Sequence, residues 1–419
     1  MKVTFCSYNE RNHVAGPDAW IQRLLPALRS RGIESELLLI TGSPADECPT
    51  ISWAHENAFA CSSIFWPKYT EDGVRWFLQR VRESRPDVFV ASLTVPAHYA
   101  GRWIRAAGIP TVGVMHSDEP YYHGLIDEFV CGRSAFQLSG LVCVSEFLEQ
   151  EVLKRQPNGV VIRRIPCGTP VPNRFSTFNG GRLRLAYVGR LVEEQKRISE
   201  VTRALCRVVR EVPNIEAAIY GDGPDRANVE AILRQEGTGW PIRLEGRVPS
   251  EEIQEHLLRC HALVLLSDYE GLPVALMEAM ACGVVPICLR IRSGVTELVD
   301  DGVTGLLVDD RGDGFVSAVR RLASQPESWQ RLSEAARHKV CRDYSNDACA
   351  ARWEELFLEL KSRVGATCLP KVPAWLRLPP LHPDLAVRDF RPPRWHRLVF
   401  DKTRDAAWGV KQKIIGVLR

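Results

Sequence analysis

Two glutamates, Glu270 and Glu278, punctuate "SDYEGLPVALMEAMACGVVPI", residues 267–287, a segment that beyond Asp268 is otherwise almost wholly apolar. Pro273 suits the first turn of a helix and Gly283 its end, so Glu278 falls inside that helix among Ala275, Leu276, Met277, Ala279 and Met280. A carboxylate left unpaired there would cost several kcal/mol. Two kinds of partner satisfy it: the vicinal hydroxyls of a ribose, as in dinucleotide sites, or a salt bridge or loop cap within the protein itself. Glu270 sits on the rim of the preceding loop. The N–H groups of Gly271 and Leu272, at the start of the helix, favour an anion such as phosphate.

Other loops add to this inventory. Arg190 and Lys196 in "YVGRLVEEQKR" are a pair of cations suited to a diphosphate leaving group; the ordinary alternative is a solvated surface ion pair. Gly221 and Gly223 flank Asp222 in "YGDGPDR", permitting a tight turn against a ligand or simply a turn. The segment is not the six-residue dinucleotide fingerprint. Gly246 and Arg247 lie between a strand and a helix in "LEGRVPSEEI", where backbone groups can read a base. In the first half, Gly16 and Pro17 open a helix, bringing backbone close to an anion or sugar. His116 follows the apolar run "TVGVM" at a strand end, either facing a cleft or serving structure.

The elements that must hold these residues read clearly. Short Val-, Ile- and Leu-rich runs such as "SELLLI", "DVFVAS", "GLVCVS", "LRLAYVG", "ALVLLS" and "VVPICL" have the pattern of parallel strands covered on both faces. Amphipathic helical patterns with charged faces lie between them. The class is therefore α/β, with ligands expected beyond the carboxyl ends of the strands. A chain of 419 residues exceeds what one core sustains. The stretch 166–184, rich in proline and glycine, divides it into two doubly wound domains, 1–175 and 176–344. An amphipathic helix at 345–363 and a tail at 364–419 follow. Acceptor choice is assigned to variable first-domain loops such as residues 41–73.

Composition, with 45% hydrophobic and 25% charged residues, excludes disordered and fibrous classes. The net charge of +3 conceals a basic tail: residues 366–419 carry eleven Lys/Arg against four Asp/Glu, leaving the rest at about −4. No nucleic-acid partner is expected. Thirteen scattered cysteines, with no C-x-x-C pair and no zinc spacing, suit a reducing cytosol. The first residues do not read as a signal peptide and no run of eighteen apolar residues occurs, so a cytoplasmic protein is expected, peripheral to a membrane at most. The tail either packs along the first domain, the favoured reading, or touches an anionic membrane surface through 366–419.

The ordered segments "YVGRLVEEQKR", "YGDGPDR", "LEGRV", "SDYEGLPVALMEAMACGVVPI" and "DGVTGLLV" closely resemble the donor domain of family 4 retaining glycosyltransferases. The resemblance covers about residues 1–363. It implies the GT-B fold of two Rossmann-like domains around a cleft. It also implies that Arg190 and Lys196 bind the nucleotide diphosphate, Glu278 the ribose, and Glu270 with the backbone of Gly271 and Leu272 the donor sugar and phosphates. Gly246, Arg247 and Val248 would lie near the base, Gly16 and His116 would face the sugar from the first domain, and the helix at 345–363 would cross back onto that domain. The usual lysine comes five residues after the arginine, where this chain has Gln195 and then Lys196; Pro17 replaces a second glycine and removes an N–H donor. The expected reaction transfers a sugar from a UDP or GDP sugar to a hydroxyl of a glycan or lipid-linked acceptor, with no metal and no cofactor. A nucleotide-sugar epimerase and a non-catalytic scaffold are the rival readings.

Overall fold

The computed structural model describes residues 1–9, 16–291 and 293–391. Seven parallel strands form the first sheet: β1 (Lys2–Asn9), β2 (Glu34–Thr41), β3 (Ala60–Phe65), β4 (Val88–Ala91), β5 (Thr111–Met115), β6 (Gly140–Cys143) and β7 (Val161–Arg164), in the order β3-β2-β1-β4-β5-β6-β7. Six form the second: β8 (Leu183–Val188), β9 (Ile215–Tyr220), β10 (Ile242–Gly246), β11 (Ala262–Leu265), β12 (Val285–Leu289) and β13 (Leu306–Val308), in the order β10-β9-β8-β11-β12-β13. In each sheet the order reverses beside the first strand, and all the pairings are parallel. This puts the carboxyl ends of β1 and β4, and of β8 and β11, at the two switch points where doubly wound sheets bind ligands. The central strands are largely apolar because helices cover both faces; all four residues of β4 and of β11 are buried.

Residues 41–73, read above as loop, contain the helix Pro49–Glu56, the edge strand β3 and the start of the helix Thr70–Ser84. β3 reads "ACSSIF", and its residues are half-buried or exposed. It lacks the continuous apolar run of a central strand because only its pairing with β2 makes it one.

No regular element lies between β7 and β8. The helix Asn346–Ser362 returns to the first domain, where Trp353 and Phe357 join Phe5 and Trp20 in an aromatic cluster with ring centroids 5.4–6.4 Å apart. Ser145 and Ser345 cap their helices by accepting from the N–H groups of Leu148 and Ala348. All thirteen cysteines are unpaired, and most are buried.

Beyond the crossover helix the chain docks along the first domain. Cys368 N–H donates to the Ala107 carbonyl at 2.8 Å, and Arg82 donates to Pro370 at 2.9 Å. Leu385 is fully buried against the helix Pro120–Phe129. Asp389 has no exposed side-chain surface; it receives two bonds from Arg391, at 2.5 and 2.7 Å, and the Thr70 hydroxyl at 2.7 Å. The Phe390 carbonyl accepts from Thr70 N–H, so the tail caps the start of the helix Thr70–Ser84 with both a carboxylate and a carbonyl. Arg388 lies over the rings of Tyr8 and Tyr121, and with Phe390 it roofs a small carbon-lined cavity walled by Tyr8, Ile40, Trp66 and Leu93. Packing along the first domain thus holds for residues 364–391. The segment with most of the basic charge, 392–419, lies outside the described residues, as does Arg292. No helix of the described residues is long and apolar enough to cross a membrane.

Because Arg391 would be left as an unpaired, half-buried cation, Asp389→Ala is expected to destabilise the protein by about 3 kcal/mol. Urea unfolding followed by circular dichroism checks this, and a loss below about 0.5 kcal/mol would mean that the docked tail contributes little to the fold.

Candidate functional site

The loops after β8, β9 and β11 converge at the carboxyl edge of the second sheet. Arg190, exposed just beyond β8, donates to Gln195 Oε1 at 3.3 Å. Gln195 reaches on to the Tyr269 carbonyl at 3.1 Å and to Glu270 Oε2 at 3.5 Å. Lys196 Nζ lies 2.5 Å from Glu270 Oε1, both side chains largely shielded from solvent. The short helix Glu193–Lys196 ends at Arg197, whose φ of 51° is left-handed, and the next helix begins at Ile198. Gln195 and Lys196 therefore both reach Glu270, joining a different oxygen each. Arg197 and Arg311 clamp the neighbouring Asp268, with Arg197 at 2.6 Å, which draws its carboxyl below the usual range against the opposing effect of burial.

Gly221 and Gly223 serve the packing of these loops on one another. A Cβ at Gly221 would stand 1.9 Å from the Gly189 carbonyl oxygen, and one at Gly223 would stand 2.4 Å from that of Leu191. Only glycine admits this approach, which keeps the loop after β9 pressed against the one carrying Arg190. Gly246 is buried at the end of β10 with φ of 82°, and its carbonyl accepts from Gly221 N–H at 2.7 Å. Arg247 beside it is exposed and engaged, and Val248 is half-buried.

After β11 the chain turns through Glu270, Gly271 and Leu272 into the helix Val274–Ala281, with Pro273 at its N-cap and Gly283 closing it at φ of 72°. Among the described residues, the N–H groups of Gly271 and Leu272 donate to nothing. They are available to an anion. The same loop meets the first domain: a Cβ on Gly271 would stand 2.4 Å from the His116 carbonyl oxygen. His116 is therefore brought to the cleft directly opposite Glu270–Leu272. Its Nε2 shares a hydrogen bond with Ser92 Oγ at 3.1 Å, and its ring packs edge-on to Trp20 with centroids 5.1 Å apart. Burial pushes the ring's pKa down to about 3, so it is neutral at ordinary pH and can exchange hydrogen bonds without carrying charge. Gly16 opens the helix Gly16–Ser30, where a Cβ would meet nothing within 4 Å. The residues just before it, 10–15, are outside the described set.

Glu278 is 5% exposed in the helix between the two sheets, and Arg23 of the first domain's opening helix meets its Oε1. Burial raises its pKa and Arg23 opposes that rise. Sequence reasoning anticipated that some partner must exist and did not find Arg23, because nothing local connects residues 255 positions apart. Ser92, the partner of His116, was missed for the same reason. The one available signal for Arg23 was its place beside the buried stripe Trp20, Ile21, Leu24 and Leu25.

His98 and His261, like His116, are held neutral by burial, their pKa values falling to about 4. The unfolded chain takes up these protons near pH 6.5 and the folded protein only well below it. Stability is therefore present above pH 6.5 and lost as pH falls from about 6.5 toward about 4. The His116 ring resonance in an NMR titration should stay fixed from pH 7.5 to 5.5; a midpoint near 6.5 would show an open, solvated imidazole instead.

Comparison with known proteins places this geometry. Residues 173–339 match the family "Glycosyl transferases group 1", and residues 14–171 match "Glycosyltransferase Family 4". The chain is 27% identical over 299 residues to a glycogen synthase of Mycobacterium tuberculosis, a match covering 67% of this chain and 70% of that one. It is 27% identical over 220 residues, 52% of its length, to the exopolysaccharide phosphotransferase SCO2592 of Streptomyces coelicolor, and it spans only 22% of that protein. Among solved structures, Anabaena HepE in complex with UDP and glucose superposes with a TM-score of 0.68 at 15% identity, over 86% of this chain and 100% of that one. The chain belongs to the group 1 glycosyltransferases of family 4, built on the GT-B fold.

Proposed function

We propose that this glycosyltransferase is a retaining, metal-independent enzyme that moves a sugar from a nucleotide-diphosphate sugar to a hydroxyl of a glycan or lipid-linked acceptor. The observation that carries the reading is the cluster at the carboxyl edge of β8 and β11: Arg190, Lys196, Glu270 and the N–H groups of Gly271 and Leu272, which donate to nothing among the described residues, gather at one place opposite His116. In this reading Arg190 and Lys196, with the helix-start N–H groups, neutralise the diphosphate as charge develops on it. Glu278 receives the ribose, and Gly246, Arg247 and Val248 lie by the base. Uracil and guanine donors both remain compatible with that loop; the relative crystallised with UDP and glucose supports the uracil case by analogy of fold alone.

Lys196 is engaged by Glu270, so a donor phosphate must draw it away or share it. The cost is modest, because a phosphate offers the ammonium an equivalent partner. Contact of the two domains at Gly271 and His116 would exclude water and place the acceptor hydroxyl near the anomeric carbon. Front-face attack of the acceptor hydroxyl at the anomeric carbon, on the side the diphosphate leaves, suits this arrangement, since it asks for electrostatic stabilisation of the leaving group and for no enzyme nucleophile.

The test joins binding to turnover. Thermal-shift measurements against nucleoside diphosphates and nucleotide sugars should show stabilisation by one base. Arg190→Ala and Lys196→Ala should each lower kcat by about 10²-fold, the loss typical of one electrostatic donor to a developing anion. Undiminished turnover in the double variant would remove both residues from the mechanism. Stabilisation by no nucleotide would favour a non-catalytic scaffold, and release of nucleotide with no transfer to any acceptor would favour an epimerase.

A further inference from the structure

Arg23 stands outside every motif that marks the donor domain, yet it supplies the partner of a deeply buried acid in it. It comes from the helix Gly16–Ser30 of the first domain and crosses to Glu278 in the helix Val274–Ala281 of the second. The side chains are 13% and 7% exposed. Around Glu278, Leu276, Met277, Ala279 and Met280 are fully buried. Arg23 meets Oε1, and Oε2 accepts no hydrogen bond among the described residues.

Resting on the donor reading above, we propose that Arg23 is a positioning residue for the donor: it holds the Glu278 carboxylate in place for the ribose hydroxyls, so that nucleotide recognition by the second domain depends on a residue of the first. Two vicinal hydroxyls both donate, and only an ionised carboxylate offers acceptors to both while another of its lone pairs is engaged. Burial alone drives Glu278 toward its protonated form, and the guanidinium opposes this. A protonated acid presents a hydrogen where one ribose hydroxyl needs an acceptor. Arg23 also fixes the side chain's direction, since a planar guanidinium constrains the carboxylate more than a solvated ammonium would. Because its anchor is in the first domain, the site for the ribose is complete only when the two domains are together.

Calorimetric titration with UDP and GDP, each against its 2′-deoxy and 3′-deoxy analogues, separates positioning from mere ion pairing. Wild-type protein should bind the ribonucleotide at least tenfold more tightly than the deoxy forms. Arg23→Met and the milder Arg23→Gln should lose at least tenfold in ribonucleotide affinity while the deoxy affinities stay within about twofold, so that discrimination collapses. Arg23→Lys should recover part of it. A folded neutral variant that keeps wild-type ribose discrimination, whatever its stability, overturns the proposal and leaves the donor reading standing. Wild-type protein that binds no nucleotide overturns the donor reading and this proposal with it.

Discussion

A carboxylate enclosed by apolar side chains is tolerable only beside a cation or several donors, because desolvating it costs more than ordinary packing returns. Glu270 and Glu278 meet this constraint in different ways. Glu270 is answered from within its own domain by Lys196 and Gln195, and Glu278 from the other domain by Arg23. The first pairing draws the loop after β8 against the loop after β11. The second ties the opening helix of the first sheet to the central helix of the second. Between them the two acids determine which loops line the cleft and which helices face across it.

The rest of the architecture keeps those pairs in register. Parallel sheets need cover on both faces, and the covering helices begin where the strands end, so each strand-to-helix loop presents free N–H groups to one edge. Gly221 and Gly223 remove the side chains that would hold the second-domain loops apart, and Gly271 does the same across the cleft at His116. The crossover helix binds the assembly a second time, through Trp353 and Phe357 against Phe5 and Trp20. The docked tail adds a third tie, capping the helix Thr70–Ser84 with Asp389 and the Phe390 carbonyl. That tie lies within one domain, so it steadies the first domain without restraining the cleft.

How much of this the sequence conveyed depended on the range of the interaction concerned. The central strands were legible because their burial is continuous: "TVGVM" is β5 residue for residue. β3 was not, since an edge strand with two serines carries no such run and acquires its conformation from β2. The helix around Glu278 was legible from Pro273 and Gly283, and the need for a partner from the cost of the buried charge. The partner itself was not. The neutral state of His116 was likewise hidden, because it follows from Trp20 and the surrounding burial, not from the neighbouring residues "HSDEP".

By itself, then, the sequence determined the α/β class, the two domains and the loops that carry Arg190, Lys196, Glu270 and Glu278, because strand burial, helix ends and turn residues are local properties written within a few positions. Tertiary structure alone decided that Gly221 and Gly223 pack loop on loop, that the tail up to Arg391 belongs to the first domain, and that Arg23 answers Glu278. Each of these joins residues far apart in the chain. Their pairing is settled by which charges and cavities the folded sheets bring within reach, a matter on which local spacing is silent.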